Sequence, residues 1–168
     1  MTLNHLNDLD NESLRTALTK CCGSSKWVEK LSAYQPFESE MELLEQAGRV
    51  WREDCGEADW LEAFGHHPKI GDIKSLEKKF ANTKEWSGQE QAGVNVASRE
   101  VLQALATGNE AYEEKFGYIF IVCATGKTAR EMLDLLKERL PNDPQKELLI
   151  AMEEQAKITT IRLKKLLS

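Results

Sequence analysis

The stretch Phe116-Gly117-Tyr118-Ile119-Phe120-Ile121-Val122-Cys123 is the only run of the sequence with the aromatic and β-branched composition of a strand. A strand needs a partner for its backbone N–H and C=O groups, and no other segment offers one. We therefore expect a buried helix, or an extended segment whose backbone groups serve something else. Amphipathic runs of helical length make up the rest, so the sequence predicts an all-α fold, one compact multi-helix domain over residues 1–168.

Glycines, prolines and capping residues divide the chain into predicted helices. Gly23 is the expected C-cap and Ser25 the expected N-cap between the first two of them. Asp72 and Ser87 are expected to start later helices, and Gly108 is expected to end the one that Ser87 opens. The predicted spans are Asn11 to Lys20, Lys26 to Tyr34, Ser39 to Glu53, Asn109 to Lys115, Thr128 to Leu140, and a terminal helix from the Asp143-Pro144 cap to Leu167.

The helix over Ser39 to Glu53 has a regular apolar spacing. The apolar positions are Met41, Leu44, Ala47 or Gly48, and Trp51, which follow one another at intervals of three and four residues. This spacing predicts that these four side chains face the core.

Composition excludes several classes of function. The chain has 168 residues, 41% of them hydrophobic, and a formal charge of −6, which argues against nucleic-acid binding. No apolar run reaches the roughly 20 residues of a membrane span, and the first 20 residues lack a signal peptide, so we expect a cytoplasmic protein without membrane contact. The four cysteines form no C-x-x-C pair, so we expect no metal site.

The sequence His66-His67-Pro68 holds two of the three histidines. Histidine exchanges protons near neutral pH, and catalytic groups are frequently carried by loops. Because a proline disfavours the α conformation of the residue before it, His67 is expected to leave the preceding helix, Asp59 to Phe64, at a bend. The alternative is an exposed turn histidine.

Ser87-x-x-Glu90 followed by Gln91 allows two interpretations. The spacing is that of a capping box, which needs no ligand. The same helix start would also offer donors to an anion, with Glu90 binding ureido or amide N–H groups while Ser87 and Gln91 reach carbonyl oxygens.

Arg162 shares a helix face with Met152, Gln155, Thr159 and Leu166. An arginine on such a face can hold a carboxylate or stabilise an oxyanion, although a solvated arginine is the simpler interpretation.

Gly126-Lys127-Thr128 resembles the end of a phosphate-binding P-loop. The first glycine of that motif would fall at Ile121, so nucleotide hydrolysis is disfavoured.

Four segments together resemble one family, the OHCU decarboxylases, which convert 2-oxo-4-hydroxy-4-carboxy-5-ureidoimidazoline to (S)-allantoin in urate degradation. The resemblance spans nearly the whole chain, in the family's order and at about its spacings. The segments are His67-Pro68 with Ile70-Gly71, Trp86-Ser87-x-x-Glu90-Gln91-Ala92-Gly93, Asn109-x-x-Tyr112-x-x-Lys115-Phe116-Gly117-Tyr118-x-Phe120, and Ile158 to Leu163.

The resemblance implies an all-helical carboxy-lyase that uses no metal or organic cofactor, acts on a small ureidoimidazoline and forms a homodimer. It implies that His67 is the general acid or base, with Glu90 and Arg162 as its catalytic partners. His66 departs from the small residue usual at its position, but the place directly before proline belongs to His67. The implied substrate contacts are His67, Pro68, Ser87, Glu90, Gln91, Phe120, Ile121 and Arg162.

A competing interpretation from another class is a helical protein-interaction module. In that case the apolar helix faces dock a partner, and His66-His67-Pro68 is only a turn. Stereoselective formation of allantoin by the chain would distinguish the two.

Overall fold

The computed structural model describes residues 1–68, 73–80 and 96–168. Within these ranges there are nine α-helices and one π-helical turn, and no β-strand, so the all-α prediction is confirmed. The helices are α1 (Leu3–Asp8), α2 (Asn11–Cys21), α3 (Ser25–Ser32), α4 (Glu40–Arg49) with its π-helical continuation (Val50–Asp54), α5 (Glu57–Gly65), α6 (Ile73–Phe80), α7 (Val96–Phe116), α8 (Ala129–Arg139) and α9 (Pro144–Leu166).

Several predicted helix starts are confirmed by their capping hydrogen bonds. Ser39 begins α4 and Thr128 begins α8, each accepting a hydrogen bond from the backbone N–H three residues on. The Asp143 carboxylate accepts two backbone N–H groups at 3.1 Å at the start of α9. Such caps satisfy N–H groups that have no partner inside the helix.

The connection between α2 and α3 differs from the prediction. Ser24, not Ser25, caps α3, and Cys22, not Gly23, follows α2 as its C-cap in an extended conformation. Ser25 is instead the first helical residue, and both its N–H and its hydroxyl donate to Glu62. A serine on either side of the boundary has the same capping chemistry, so local sequence did not distinguish them.

The apolar face predicted for α4 is partly wrong. Met41 is 70% exposed and Leu44 is only half-buried, whereas Leu43, Ala47 and Trp51 are buried. Leu43 and Ala47 are one turn apart, on a stripe adjacent to the predicted one. Periodicity permitted both stripes, and packing selected the second.

Gly108 does not end a helix, because α7 runs unbroken from Val96 to Phe116. A Cβ at Gly108 would lie 2.5 Å from Cδ2 of Leu136 on α8. The glycine therefore allows two helices to approach closely, and the predicted separate helix over Asn109 to Lys115 is wrong. The helix starts predicted at Asp72 and Ser87 lie outside the described residues.

Contacts divide the chain into two compact units, and α9 contributes to both. The first comprises Met1–His67, Ile121–Cys123 and Met152–Ser168. Its core includes two tryptophans whose indole N–H groups bond to backbone: Trp27 donates to the carbonyl of Ala47, and Trp51 to that of Met152. The second contact fixes the C-terminal part of α9 in this unit. The expectation of one domain over residues 1–168 stays a prediction.

The second unit comprises Pro68–Phe120 and Ala124–Ala151. Its centre holds a buried ionic network in which Glu147 accepts hydrogen bonds from Arg139, at 2.5 and 2.9 Å, and from the hydroxyl of Tyr112. Both side chains of the ion pair are less than a tenth exposed. Burial and the bond to Glu147 raise the pKa of Tyr112 well above its usual range, so the phenol remains a donor.

The strand-like run forms no strand. Residues 117–124 are irregular, and Ile121 and Cys123 are buried. The backbone N–H of Cys123 donates to Glu154 at 3.1 Å. The expected segment without a sheet partner is therefore confirmed. In the part of the chain that the structure describes, none of the helices is long and apolar enough to cross a bilayer.

Candidate active site

His67 lies at a bend just after α5 in the first unit. The helix ends at Gly65, and the backbone N–H groups of His66 and His67 still donate to the carbonyls of Ala63 and Phe64. The last turn of the helix therefore fixes the backbone of His67. Its side chain is half-buried, whereas those of His66 and Pro68 are exposed. A bend before Pro68 agrees with the prediction.

The imidazole of His67 contacts a buried glutamine of α9. Its Nε2 lies 2.5 Å from Oε1 of Gln155, whose side chain is 1% exposed. The amide Nε2 of Gln155 donates in turn to Oγ1 of Thr159 at 3.1 Å. These contacts hold the ring of His67 against α9.

His66 has different surroundings. Its ring packs on the backbone of Gly23, where a Cβ would lie only 2.3 Å from Cγ of His66. Hydrogen bonds from Ser25 lower the pKa of Glu62, and the charge of His66 lowers it further. His66 thus packs against the α2–α3 connection beside an acidic group.

Arg162 lies on the same face of α9 as Gln155 and Thr159, as predicted. Its side chain is half-buried, and Nη1 donates to the carbonyl oxygen of Cys21 at 3.5 Å. That carbonyl belongs to the last turn of α2, where carbonyl groups lack helical partners and attract a cation. A guanidinium has five N–H donors, and this contact uses one of them.

His67 and Arg162 line one cleft in the first unit, with a volume of about 680 Å³. This size is in the range of small-molecule sites, roughly 300–1,000 Å³. The described side chains around it include cations and no carboxylate, which favours an anionic ligand. The lining residues are Ala17, Thr19, Lys20, Cys21, Gly23, Ala63, His66, His67, Arg162, Lys165 and Leu166.

The other predicted site residues lie elsewhere or are not described. Ser87, Glu90 and Gln91 lie outside the described residues. Phe120 belongs to the second unit, where the guanidinium of Arg139 lies 4.6 Å from its ring centroid. Ile121 is 2% exposed within the first unit.

The contacts of Gln155 and Gly23 with the two histidines are not predicted from the sequence. Helical spacing predicts Gln155 on the face of Arg162, but no local pattern indicates contact with a histidine 88 positions earlier. Local sequence predicts only a cap at Gly23, since its contact with His66 depends on packing. The signal that the sequence offers for Gln155 is a polar residue seven positions before Arg162, on a helix face with apolar ends.

Fold and site together define an all-helical protein with a cleft of small-molecule size, lined by a histidine and an arginine. The OHCU decarboxylase model matches residues 7–164. The chain therefore belongs to the OHCU decarboxylase family.

Individual relatives agree with this membership. The chain is 41% identical over 148 residues to the "Uric acid degradation bifunctional protein TTL" of Arabidopsis thaliana, covering 88% of this chain and 45% of that protein. It thus spans less than half the length of that relative. It is 26% identical to the 2-oxo-4-hydroxy-4-carboxy-5-ureidoimidazoline decarboxylase of Halalkalicoccus jeotgali, covering 99% and 92% of the two chains.

A solved structure is also similar. It is a crystal structure of OHCU decarboxylase in the presence of (S)-allantoin, with 38% sequence identity and a TM-score of 0.72. The match covers 95% of this chain and 99% of that one.

Proposed function

We propose that this protein is a carboxy-lyase of urate degradation that converts 2-oxo-4-hydroxy-4-carboxy-5-ureidoimidazoline to (S)-allantoin. Family membership and the relative crystallised in the presence of (S)-allantoin support this substrate and product. The observation that carries the proposal is the shared cleft of His67 and Arg162 in the first unit.

The proposed chemistry requires little from the protein beyond orientation, charge stabilisation and one proton. The C–C bond to the carboxylate breaks, carbon dioxide leaves, and the bonding electron pair moves into the adjacent C=N bond of the substrate. The enamine-like intermediate that results has a C=C bond between the hydroxyl-bearing carbon and the ureido-bearing carbon. A proton delivered to the ureido-bearing carbon, with transfer of the hydroxyl proton to the ring nitrogen that received the electron pair, gives the C–H and C=O groups of the product. The substrate's own C=N bond is the electron sink.

His67 is the proposed general acid or base for the proton step. It is half-buried, fixed by Gln155, and lines the cleft. Because an imidazole both donates and accepts protons near neutral pH, it suits protonation of the intermediate. Delivery from one side of a bound, planar intermediate gives a product of one hand.

Arg162 is the proposed partner of the negatively charged carboxylate of the substrate. The substrate carries a carboxylate, and the guanidinium lies on the wall of a cleft whose described charged groups, Lys20 and Lys165 among them, are cations. An arginine fork binds carboxylate in a fixed orientation and stabilises charge as it moves.

The remaining substrate contacts are proposed from family likeness. Glu90 binds the ureido arm and so selects the ring face that meets the proton, and Ser87 and Gln91 are further substrate contacts. Pro68 and the backbone around Phe120 and Ile121 complete the set. A homodimer in the cytoplasm is proposed on the same basis.

The test uses freshly generated urate oxidation products as the source of substrate. Circular dichroism follows the appearance of allantoin of one hand, with a protein-free reaction as the control. We expect rapid, stereoselective formation with the native chain and loss of about 100-fold or more with His67→Asn at unchanged helical content. Allantoin formation no faster than in the control would exclude the proposal.

A further inference from the structure

Gln155 is a buried polar side chain whose two ends both have partners. Only 1% of the residue is exposed, in the middle of α9. A buried amide without hydrogen bonds destabilises the folded protein by about 1–3 kcal/mol, so a position of this kind requires specific partners. The partners here are the cleft histidine His67 on one side and Thr159 on the other.

The side-chain amide of Gln155 has one donor group and one acceptor atom, and these fix the direction of its two hydrogen bonds. Nε2 of Gln155 is a donor, and it points to Oγ1 of Thr159. Oε1 of Gln155 is an acceptor only, and it faces Nε2 of His67. The bond at 2.5 Å therefore requires a proton on Nε2 of His67.

We propose that Gln155 is a positioning residue that holds neutral His67 in the tautomer protonated at Nε2, so that Nδ1 is the atom that exchanges the proton with substrate. This inference rests on the proposed function for the role of His67. When the neutral ring has its hydrogen on Nε2, its basic lone pair is on Nδ1. Proton delivery from Nδ1 leaves the bond to Gln155 intact, whereas delivery from Nε2 would break it.

The choice of an amide rather than a carboxylate has a physical consequence. A carboxylate beside the ring favours the imidazolium and retains the proton. A neutral amide orients the ring without adding a negative charge that would favour the imidazolium. The charged groups around the cleft, Lys20, His66, Arg162 and Lys165, are all cationic or able to become so.

The tautomer is measured directly by nitrogen-15 NMR of the histidine side chains. The chain has three histidines, so His67→Asn assigns the signals of His67 by their loss. Above the pH at which the ring becomes neutral, we expect the pattern of a ring protonated at Nε2. The pattern of a ring protonated at Nδ1, or a mixture, in the native chain overturns the proposal.

Two substitutions at position 155 then separate positioning from packing. Gln155→Met keeps the length but removes the acceptor, and we expect a tautomer mixture and a kcat about tenfold lower or more, with KM little changed. Gln155→Glu restores an acceptor, so we expect recovery of the Nε2–H tautomer and a pH profile displaced to higher pH. The matched control is Gln145→Met at an exposed glutamine of the same helix.

An unchanged tautomer or an unchanged kcat in Gln155→Met contradicts the proposal. The NMR measurement needs no substrate, so it gives the same answer if the native chain proves inactive on the urate product. In that case the proposed function fails while the positioning of His67 by Gln155 is still confirmed or excluded.

Discussion

The imidazole of His66 packs directly on the backbone of Gly23, with no room for a Cβ between them. The adjacent His67 instead bonds to Gln155 of α9. Two consecutive histidines that line the same cleft are therefore held by different contacts, His66 by Gly23 and His67 by Gln155. This difference bears on which imidazole carries out the proton step.

We expect His66→Asn to retain most of the decarboxylase activity, in contrast to His67→Asn. Asparagine is smaller than histidine, so we expect it to fit over Gly23 and to leave the bond between His67 and Gln155 intact. Initial rates of stereoselective allantoin formation compare the two variants. Equal losses in both would contradict the assignment of the proton step to His67.

Arg162→Lys should reduce kcat/KM by about tenfold or more although the charge is kept. Lysine lacks the planar fork that holds a carboxylate through two parallel bonds. Steady-state kinetics at saturating and limiting substrate make the comparison, with the exposed Lys164→Arg on the same helix as control. Unaltered constants in Arg162→Lys would exclude a direct role of the guanidinium.

Gly108→Ala should lower the free energy of unfolding by about 1–3 kcal/mol, because the new methyl group would overlap Leu136. Gly65→Ala is the control, since a Cβ there meets no atom within 4 Å. We expect that variant to be neutral or slightly more stable, because alanine has less freedom than glycine in the unfolded chain. Urea denaturation measures the free energy of unfolding of both variants. Equal changes in Gly108→Ala and Gly65→Ala would mean that α7 and α8 do not pack closely at Gly108.

Arg139→Met should destabilise the protein by about 3–5 kcal/mol, because it leaves the buried carboxylate of Glu147 without its cation. Adding Glu147→Leu removes that unpaired charge and should recover much of the loss. A double-mutant cycle of unfolding free energies measures the coupling. Strict additivity of the two substitutions would show that the pair is not coupled in the folded protein.

Stability should fall at alkaline pH through the buried thiol of Cys22. Burial raises its pKa to about 12, against about 8.5 in an unfolded chain. Below pH 8.5 the thiol is neutral in both states, so its contribution is fully present. Between pH 8.5 and 12 the unfolded thiol ionises first, so stability is lost by up to about 1.4 kcal/mol per pH unit. Cys22→Ala should remove this part of the slope in denaturation at pH 8 to 10, and an equal slope in both proteins would contradict it.

Local chemistry predicted the caps at Ser39 and Thr128 because each side chain serves a backbone group only three residues away. It was wrong at Gly108 and at the apolar face of Met41 and Leu44. A glycine has the same local freedom whether it ends a helix or faces a neighbour, and helical periodicity leaves adjacent stripes equally apolar. Only the elements packed against these helices distinguish the alternatives.

The sequence by itself determined the helical fold class, the bend at His67-Pro68 and the shared face of Gln155, Thr159 and Arg162. These features depend on propensity, sterics and periodicity, which act over a few residues. The tertiary structure alone decided that α9 brings Gln155 to His67 and that Arg162 lies on the wall of the same cleft. Contacts between residues 88 positions apart form only when helices pack, and packing depends on the whole set of buried side chains.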